Sequence, residues 1–169
     1  MGQGLAVQIT PEGKKILWKT HSDLQSIFHE VPNQIKGQLA KGLGEGGYYI
    51  SLEGYMKQFE VVLGWRPFSG TLNIRLVTEE DIDAFQRLLK TEYTPIEGFY
   101  DEKTKRTLGK VFLWQCEVQY TKTQVTEGAI IFPDRTHHQK TIMEILAPFS
   151  LREKWHLNDG DALVIRPRR

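Results

Sequence analysis

Cysteine is nearly missing from this sequence: its 169 residues hold one, Cys116. A lone cysteine can form no intrachain disulfide and no cysteine-based zinc site. Net charge is nearly missing too. With 22 Lys and Arg against 21 Asp and Glu, the balance is +1, which leaves no overall electrostatic footprint for nucleic acid. The basic end, Arg166, Arg168 and Arg169, reads as a solvated tail rather than a binding arm. No apolar run reaches the length of a bilayer span, and no signal-peptide pattern opens the sequence. Met1-Gly2-Gln3-Gly4-Leu5-Ala6 fails as a myristoylation signal, because Ala6 stands where Ser or Thr is needed. No repeat of fixed period and no low-complexity segment is present. These absences read as a soluble, cytoplasmic protein without a membrane partner. The oligomeric state is not legible.

What is present suits a packed domain. Apolar residues make up 40% and charged residues 25%, so a core can form and disorder is not indicated. Aromatics at 11% lean toward sheet. The length fits one domain with an appendage. Residues 1–33 form that expected appendage. Thr10 can cap a helix with Pro11 at its first position, and Leu17, Leu24, Ile27, Phe28 and Val31 recur at helical spacing. The stretch Thr10 to Leu17 also looks like the close of a winged-helix DNA-binding domain, of which 1–33 would be a remnant.

Residues 34–169 read as the main domain. Strands are expected near 35–41, at Tyr48 to Leu52, Thr71 to Leu76, Lys110 to Gln119, Gly128 to Phe132, Thr141 to Leu146 and Leu163 to Arg166. Helices are expected over Tyr55 to Leu63, ended by Gly64, over Ile82 to Leu89 behind the capping pair Thr78 and Asp81, and for a turn or two over Leu151 to His156. Asn158 to Asp161 reads as a tight turn. Many short strands with few helices predict a mainly β fold, a closed or nearly closed small β-barrel.

Four stretches could carry chemistry. The first is the loop Gly42-Leu43-Gly44-Glu45-Gly46-Gly47. Its glycines let a ligand approach the backbone closely, and successive amides can cradle phosphate. No Gly-Lys-Ser/Thr follows, so it is not a P-loop. An expected strand after it argues against a dinucleotide fingerprint. A plain hairpin loop fits the same pattern. The second is Gly70-Thr71-Leu72-Asn73-Ile74-Arg75-Leu76. Alternation turns Leu72, Ile74 and Leu76 inward and leaves Thr71, Asn73 and Arg75 sharing the other face. A hydroxyl and an amide carbonyl there offer two neutral oxygens to a hard cation such as Mg²⁺, although any half-buried strand shows polar-out alternation. The third is Thr136-His137-His138 with Glu144. Adjacent histidines on an extended chain point apart and make a poor zinc site. Glu144 lies among Ile142, Met143, Ile145 and Leu146, where a desolvated carboxylate could be tuned for proton transfer or could simply face outward. The fourth is Arg152, able to meet a phosphate or to form a surface ion pair.

The order of these motifs closely resembles the archaeal CTP-dependent riboflavin kinases. The likeness is carried by Gly42 to Tyr49, Gly64-Trp65-Arg66-Pro67, Gly70 to Asn73, Gly128-Ala129-Ile130-Ile131, Thr136-His137-His138, Glu144 to Pro148 and Leu151-Arg152-Glu153, over about residues 35–166. The resemblance implies a cradle-loop β-barrel that phosphorylates riboflavin to FMN at the expense of CTP, giving CDP. It also implies nucleotide contacts from Gly42, Leu43, Gly44, Glu45, Gly46 and Gly47 and from Phe149, Ser150, Leu151 and Arg152. Mg²⁺ would sit on Thr71 and Asn73. Thr136 and Glu144 would face the flavin, with Glu144 as the catalytic candidate. Two positions depart from the family pattern: Ser69 where proline is frequent, and Gly47 where some relatives carry a bulkier residue. Two alternatives compete: an AbrB-like regulator that binds DNA as a dimer, which the near-neutral charge disfavours, and a flavin-binding sensor without turnover.

Overall fold

The computed structural model describes residues 9–17, 20, 31–42, 46–134 and 141–168. Residues 11–17 are helical (α1). Thr10 caps this turn as expected, its Oγ1 accepting from Gly13 N at 3.1 Å. Leu24, Ile27 and Phe28, the rest of the expected apolar stripe, lie outside the described residues, whereas Val31 packs against the main core.

The strands are β1 (Ile35–Ala40), β2 (Leu72–Arg75), β3 (Thr94–Ile96), β4 (Tyr100–Asp101), β5 (Arg106–Thr107), β6 (Val111–Gln119), β7 (Val125–Pro133), β8 (Ile142–Leu146) and β9 (Ala162–Pro167). The helices are α2 (Gly46–Ser51), α3 (Glu53–Leu63), α4 (Glu79–Leu88) and α5 (Leu151–Trp155). Six strands close on themselves in the order β6-β7-β8-β2-β1-β9, because β9 returns to pair with β6. Every pairing is antiparallel. The mainly β barrel read from the strand pattern is therefore borne out. The nine-residue β6 shares one edge between two partners: Val111 to Leu113 pair with β3 and Cys116 to Gln119 with β9.

Period-two alternation fills the barrel. Leu72, Ile74 and Leu76 from β2 turn inward with Ile35, Leu39, Cys116, Val118, Ile130, Met143, Ile145, Leu163 and Ile165. Burial pushes the Cys116 thiol up to about 12, so it stays protonated as a small core residue. Two short helices extend this core. Thr78 Oγ1 accepts from Asp81 N at 3.2 Å at the start of α4, and Asp81 Oδ1 accepts from Lys36 N at 2.7 Å. That ties α4 to the start of β1 while Phe85 and Leu88 enter the core. At the other end of β1, Arg152 of α5 donates to Ala40 O at 2.9 Å, and Leu151 and Trp155 are buried.

A second apolar cluster lies outside the barrel. There α3 sets Tyr55, Met56 and Phe59 against Ile96, Leu113, Ala129, Ile131 and Leu146. Gly64 ends α3 in the left-handed region at φ 75, as its position predicts.

One expected element is wrong. Tyr48 to Leu52 is not a strand; Gly46–Ser51 is helix α2. Aromatic and β-branched residues suit a strand, but a strand needs an unpaired edge, and β8, β2, β1 and β9 each already have two neighbours. The segment instead buries Ile50 alone in the α3 cluster and leaves Tyr48 and Tyr49 exposed. With a helix following the glycine loop, its distinction from a dinucleotide fingerprint rests on the antiparallel sheet, which lacks a parallel βαβ unit. The three strands β3, β4 and β5 carry no clear sequence signal. Pro95 sits inside β3, which only an edge strand tolerates, and two-residue strands are too short for a period.

Candidate active site

Strand register builds one polar wall outside the barrel. Asn73 pairs with Ala40 on one side and Glu144 on the other, and Glu144 pairs with Ile131. Directly paired residues point to the same face, so Ala40, Asn73, Glu144 and Ile131 form one row across four strands. In the adjacent row Gln38, Arg75 and Ile142 are paired in the same way. Thr71 precedes Asn73 by two residues and shares its face. The interior positions between them, Leu72 and Ile74, are packed, which fixes which way the polar residues turn.

Gly42, Gly46 and Gly47 border this wall. A Cβ on Gly42 would collide with the Asn73 amide, and one on Gly46 with the Thr71 hydroxyl. A Cβ on Gly47 would lie 3.0 Å from Ser69 O. Glycine thus lets the backbone at Gly42 and Gly46 come close to the two candidate metal ligands, since a side chain there would push against Asn73 or Thr71. Between loop and wall lies a cavity of about 430 Å³, the size of a small-molecule site. It brings together Gly42, Gly46, Gly47, Thr71, Asn73, Glu144 and Arg152 of the expected residues. Leu43, Gly44, Glu45 and Thr136 lie outside the described residues.

The remaining candidates occupy a neighbouring cavity of about 80 Å³, which shares Gly70, Thr71 and Arg152 with the first. Phe149, Ser150 and Leu151 line it together with Phe68. Two of these also have structural duties: Ser150 Oγ caps α5 by accepting from Glu153 N at 3.4 Å, and Leu151 is 2% exposed within the core. Phe149 is covered by the Lys154 ammonium, 4.1 Å from its ring centre. Arg152 Nη2 donates both to Ala40 O and to Asp159 Oδ1, the latter at 2.6 Å. It forms the expected surface ion pair and borders the cavity at once.

Lys41 and Arg75 also line the main cavity, and both are exposed. Sequence reading put Arg75 on the right face without giving it a role. Lys41 carried no signal, because its position depends on where β1 ends against β2. Phe132, Pro133 and Ile142 add an apolar flank beside Glu144.

The donor set fits one kind of cation. Thr71 and Asn73 offer hard, neutral oxygens, and among the described residues no group of three or more His, Cys, Asp and Glu side chains could hold a metal. A cation here would take most ligands from phosphate and water, as Mg²⁺ does. No helix among the described residues is long and apolar enough to cross a membrane.

Comparison with known proteins places the chain in a family. The family model named for the CTP-dependent riboflavin kinases, described as domain of unknown function DUF120, matches residues 39–166. A riboflavin kinase of Archaeoglobus fulgidus is 44% identical over 164 residues, covering 96% of this chain and 66% of that protein. Those of Methanococcoides burtonii and Pyrobaculum islandicum are 38% and 37% identical, with 96% and 98% of this chain and 70% and 74% of theirs covered. The chain thus spans about two thirds to three quarters of the length of these relatives. The family match runs from the end of β1 to β9 and so takes in the glycine loop, the β2–β8 wall and α5 together; the chain belongs to the CTP-dependent riboflavin kinase family, a family of kinases.

Proposed function

We propose that the domain transfers the γ-phosphoryl group of CTP to the 5′-hydroxyl of riboflavin, giving FMN and CDP. The observation that carries this reading is the pairing of Asn73 with Glu144 across β2 and β8. On this reading a cation and phosphate subsite at Asn73 lies beside an acceptor subsite at Glu144 on adjacent strands, bordered by Gly42, Gly46 and Gly47. Paired residues of an antiparallel sheet are only about 5 Å apart, a separation suited to direct transfer between two bound substrates.

The hydroxyl oxygen attacks the γ-phosphorus, the bond to the β–γ bridging oxygen breaks, and CDP leaves. Catalysis of this kind depends on positioning and on charge stabilisation. Gly42 to Gly47 supply backbone amides to the phosphates. Thr71 and Asn73 are the residues that would hold Mg²⁺, which neutralises phosphate charge when bound. Glu144 orients the hydroxyl and accepts its proton. Phe149 to Arg152, on the far side of Thr71, complete the nucleotide site, and Thr136 joins Glu144 on the flavin side. The domain acts in the cytoplasm on small molecules, and the chain needs no nucleic acid.

Incubating the protein with riboflavin, Mg²⁺ and each of four nucleoside triphosphates, with chromatographic separation of products, tests this. FMN and CDP should form with CTP, and much less FMN with ATP. A preference for ATP would overturn the nucleotide assignment. Flavin binding with no FMN from any nucleotide would make the protein a sensor.

A further inference from the structure

Two arginines border the cavity, and their surroundings differ. Arg152 is engaged: its Nη2 is shared between Ala40 O and Asp159. The Arg75 side chain is exposed and makes no hydrogen bond or ion pair with any described residue. An unpaired guanidinium on a cavity wall keeps its full donor set for an anion, and its planar fork suits two oxygens of a phosphate.

Position along β2 narrows the choice of phosphate. Thr71 borders the small cavity with Phe149 and Arg152. Arg75 lies at the opposite end of the strand, paired with Ile142, the residue two before Glu144. The polar face therefore runs from the nucleotide end at Thr71, through Asn73 opposite Glu144, to Arg75 opposite Ile142 of the apolar flank. We propose that Arg75 is a catalytic residue that binds the phosphoryl group in transit and then the phosphate of FMN, while Arg152, within the nucleotide site, also holds the end of β1. This rests on the kinase reading above. Diagonal to Glu144 across β2 and β8, and at the end of the polar face away from the nucleotide, Arg75 offsets the charge of Glu144 where an anionic phosphoryl group must arrive. It discriminates FMN from riboflavin by charge alone.

The experiment compares the unaltered protein with Arg75→Gln and Arg75→Lys, reading turnover with CTP and equilibrium binding of FMN and of riboflavin. Arg75→Gln should lower kcat by about 100-fold, the loss typical for one donor to transition-state charge. It should weaken FMN at least 10-fold and leave riboflavin affinity within twofold, a split that a structural role would not produce. Arg75→Lys should recover part of both, and the FMN affinity of the unaltered protein should fall with added salt more steeply than that of Arg75→Gln. Equal weakening of FMN and riboflavin, or unchanged FMN affinity, would overturn the proposal. If the unaltered protein makes no FMN, the kinase reading fails. Arg75 is then judged by binding alone: loss of the FMN preference in Arg75→Gln supports its role, and retention overturns it.

Discussion

The outside of the barrel has two sectors that the same strands treat differently. Over β3, β6 and β7, helix α3 lays Tyr55, Met56 and Phe59 against Leu113, Ala129 and Ile131. Over β1, β2 and β8 a cavity of about 430 Å³ remains, bordered by Gly42, Gly46 and Gly47. The two sectors meet at the row where Ile131 pairs with Glu144. A covering element rich in side chains makes core; glycines can come close to the side chains of the wall and leave space for a ligand. Function here lies where packing has been withheld.

The largest expected effect comes from the open sector. Glu144→Gln keeps the size of the side chain and removes its charge and proton acceptor. If Glu144 is a general base, single-turnover rates should fall roughly 10²–10⁴-fold, with riboflavin binding retained. A smaller loss would mean that it only positions the hydroxyl, since loose phosphoryl-transfer transition states need little early deprotonation. Near-normal turnover with intact binding would make it a structural strand residue.

Phe59→Ala addresses the packed sector. Phe59 is 0% exposed, and truncating a buried phenylalanine costs about 3–5 kcal/mol. Denaturant unfolding should show that loss, while the kcat of the folded fraction changes little. A stable but inactive variant would show that the two sectors are coupled more tightly than their separate clusters suggest.

Gly46→Ala tests the close approach itself. Its Cβ would meet the Thr71 hydroxyl; because the loop can lift, the stability cost should fall at the low end of about 1–3 kcal/mol for overpacking. The KM for CTP should rise by more than kcat falls. An unchanged KM would show that the loop does not touch the nucleotide.

The smallest effects on stability belong to Thr71→Ala and Asn73→Ala. Both leave Leu72 and Ile74 packed, and such substitutions usually change stability by no more than about 0.5 kcal/mol. Activity should nevertheless require more Mg²⁺. A Mg²⁺ titration identical to that of the unaltered protein would remove both residues from the metal site.

Much of this was legible in the chain, but unevenly. The β2 stretch was readable because period-two alternation is local: Leu72 and Ile74 inward force Asn73 and Arg75 outward. The caps at Thr78 and Gly64 were readable for the same reason, each being set by residues within a turn of it. Helix α2 was misread because its conformation depends on the lack of a free strand edge beside it, which no local pattern encodes. Arg75 and Lys41 were missed as cavity residues because cavity membership depends on where the glycine loop lies. The ordered motif set supplied what spacing could not, namely that Glu144, 71 residues beyond Asn73 in number, belongs with it.

By itself the sequence determined which residues alternate, where the helices are capped, which segments lack side chains, and to which family the order of motifs belongs. Tertiary structure decided the rest. Closure of β9 onto β6 removed the edges that α2 would have needed as a strand. Antiparallel register put Asn73 beside Glu144. Pairing of Arg152 with Asp159 and Ala40 left Arg75 as the arginine on the cavity wall without a partner among the described residues. The physical reason is range: alternation and capping act between residues a few positions apart, whereas closure, register and the competition for partners are settled only when distant segments meet.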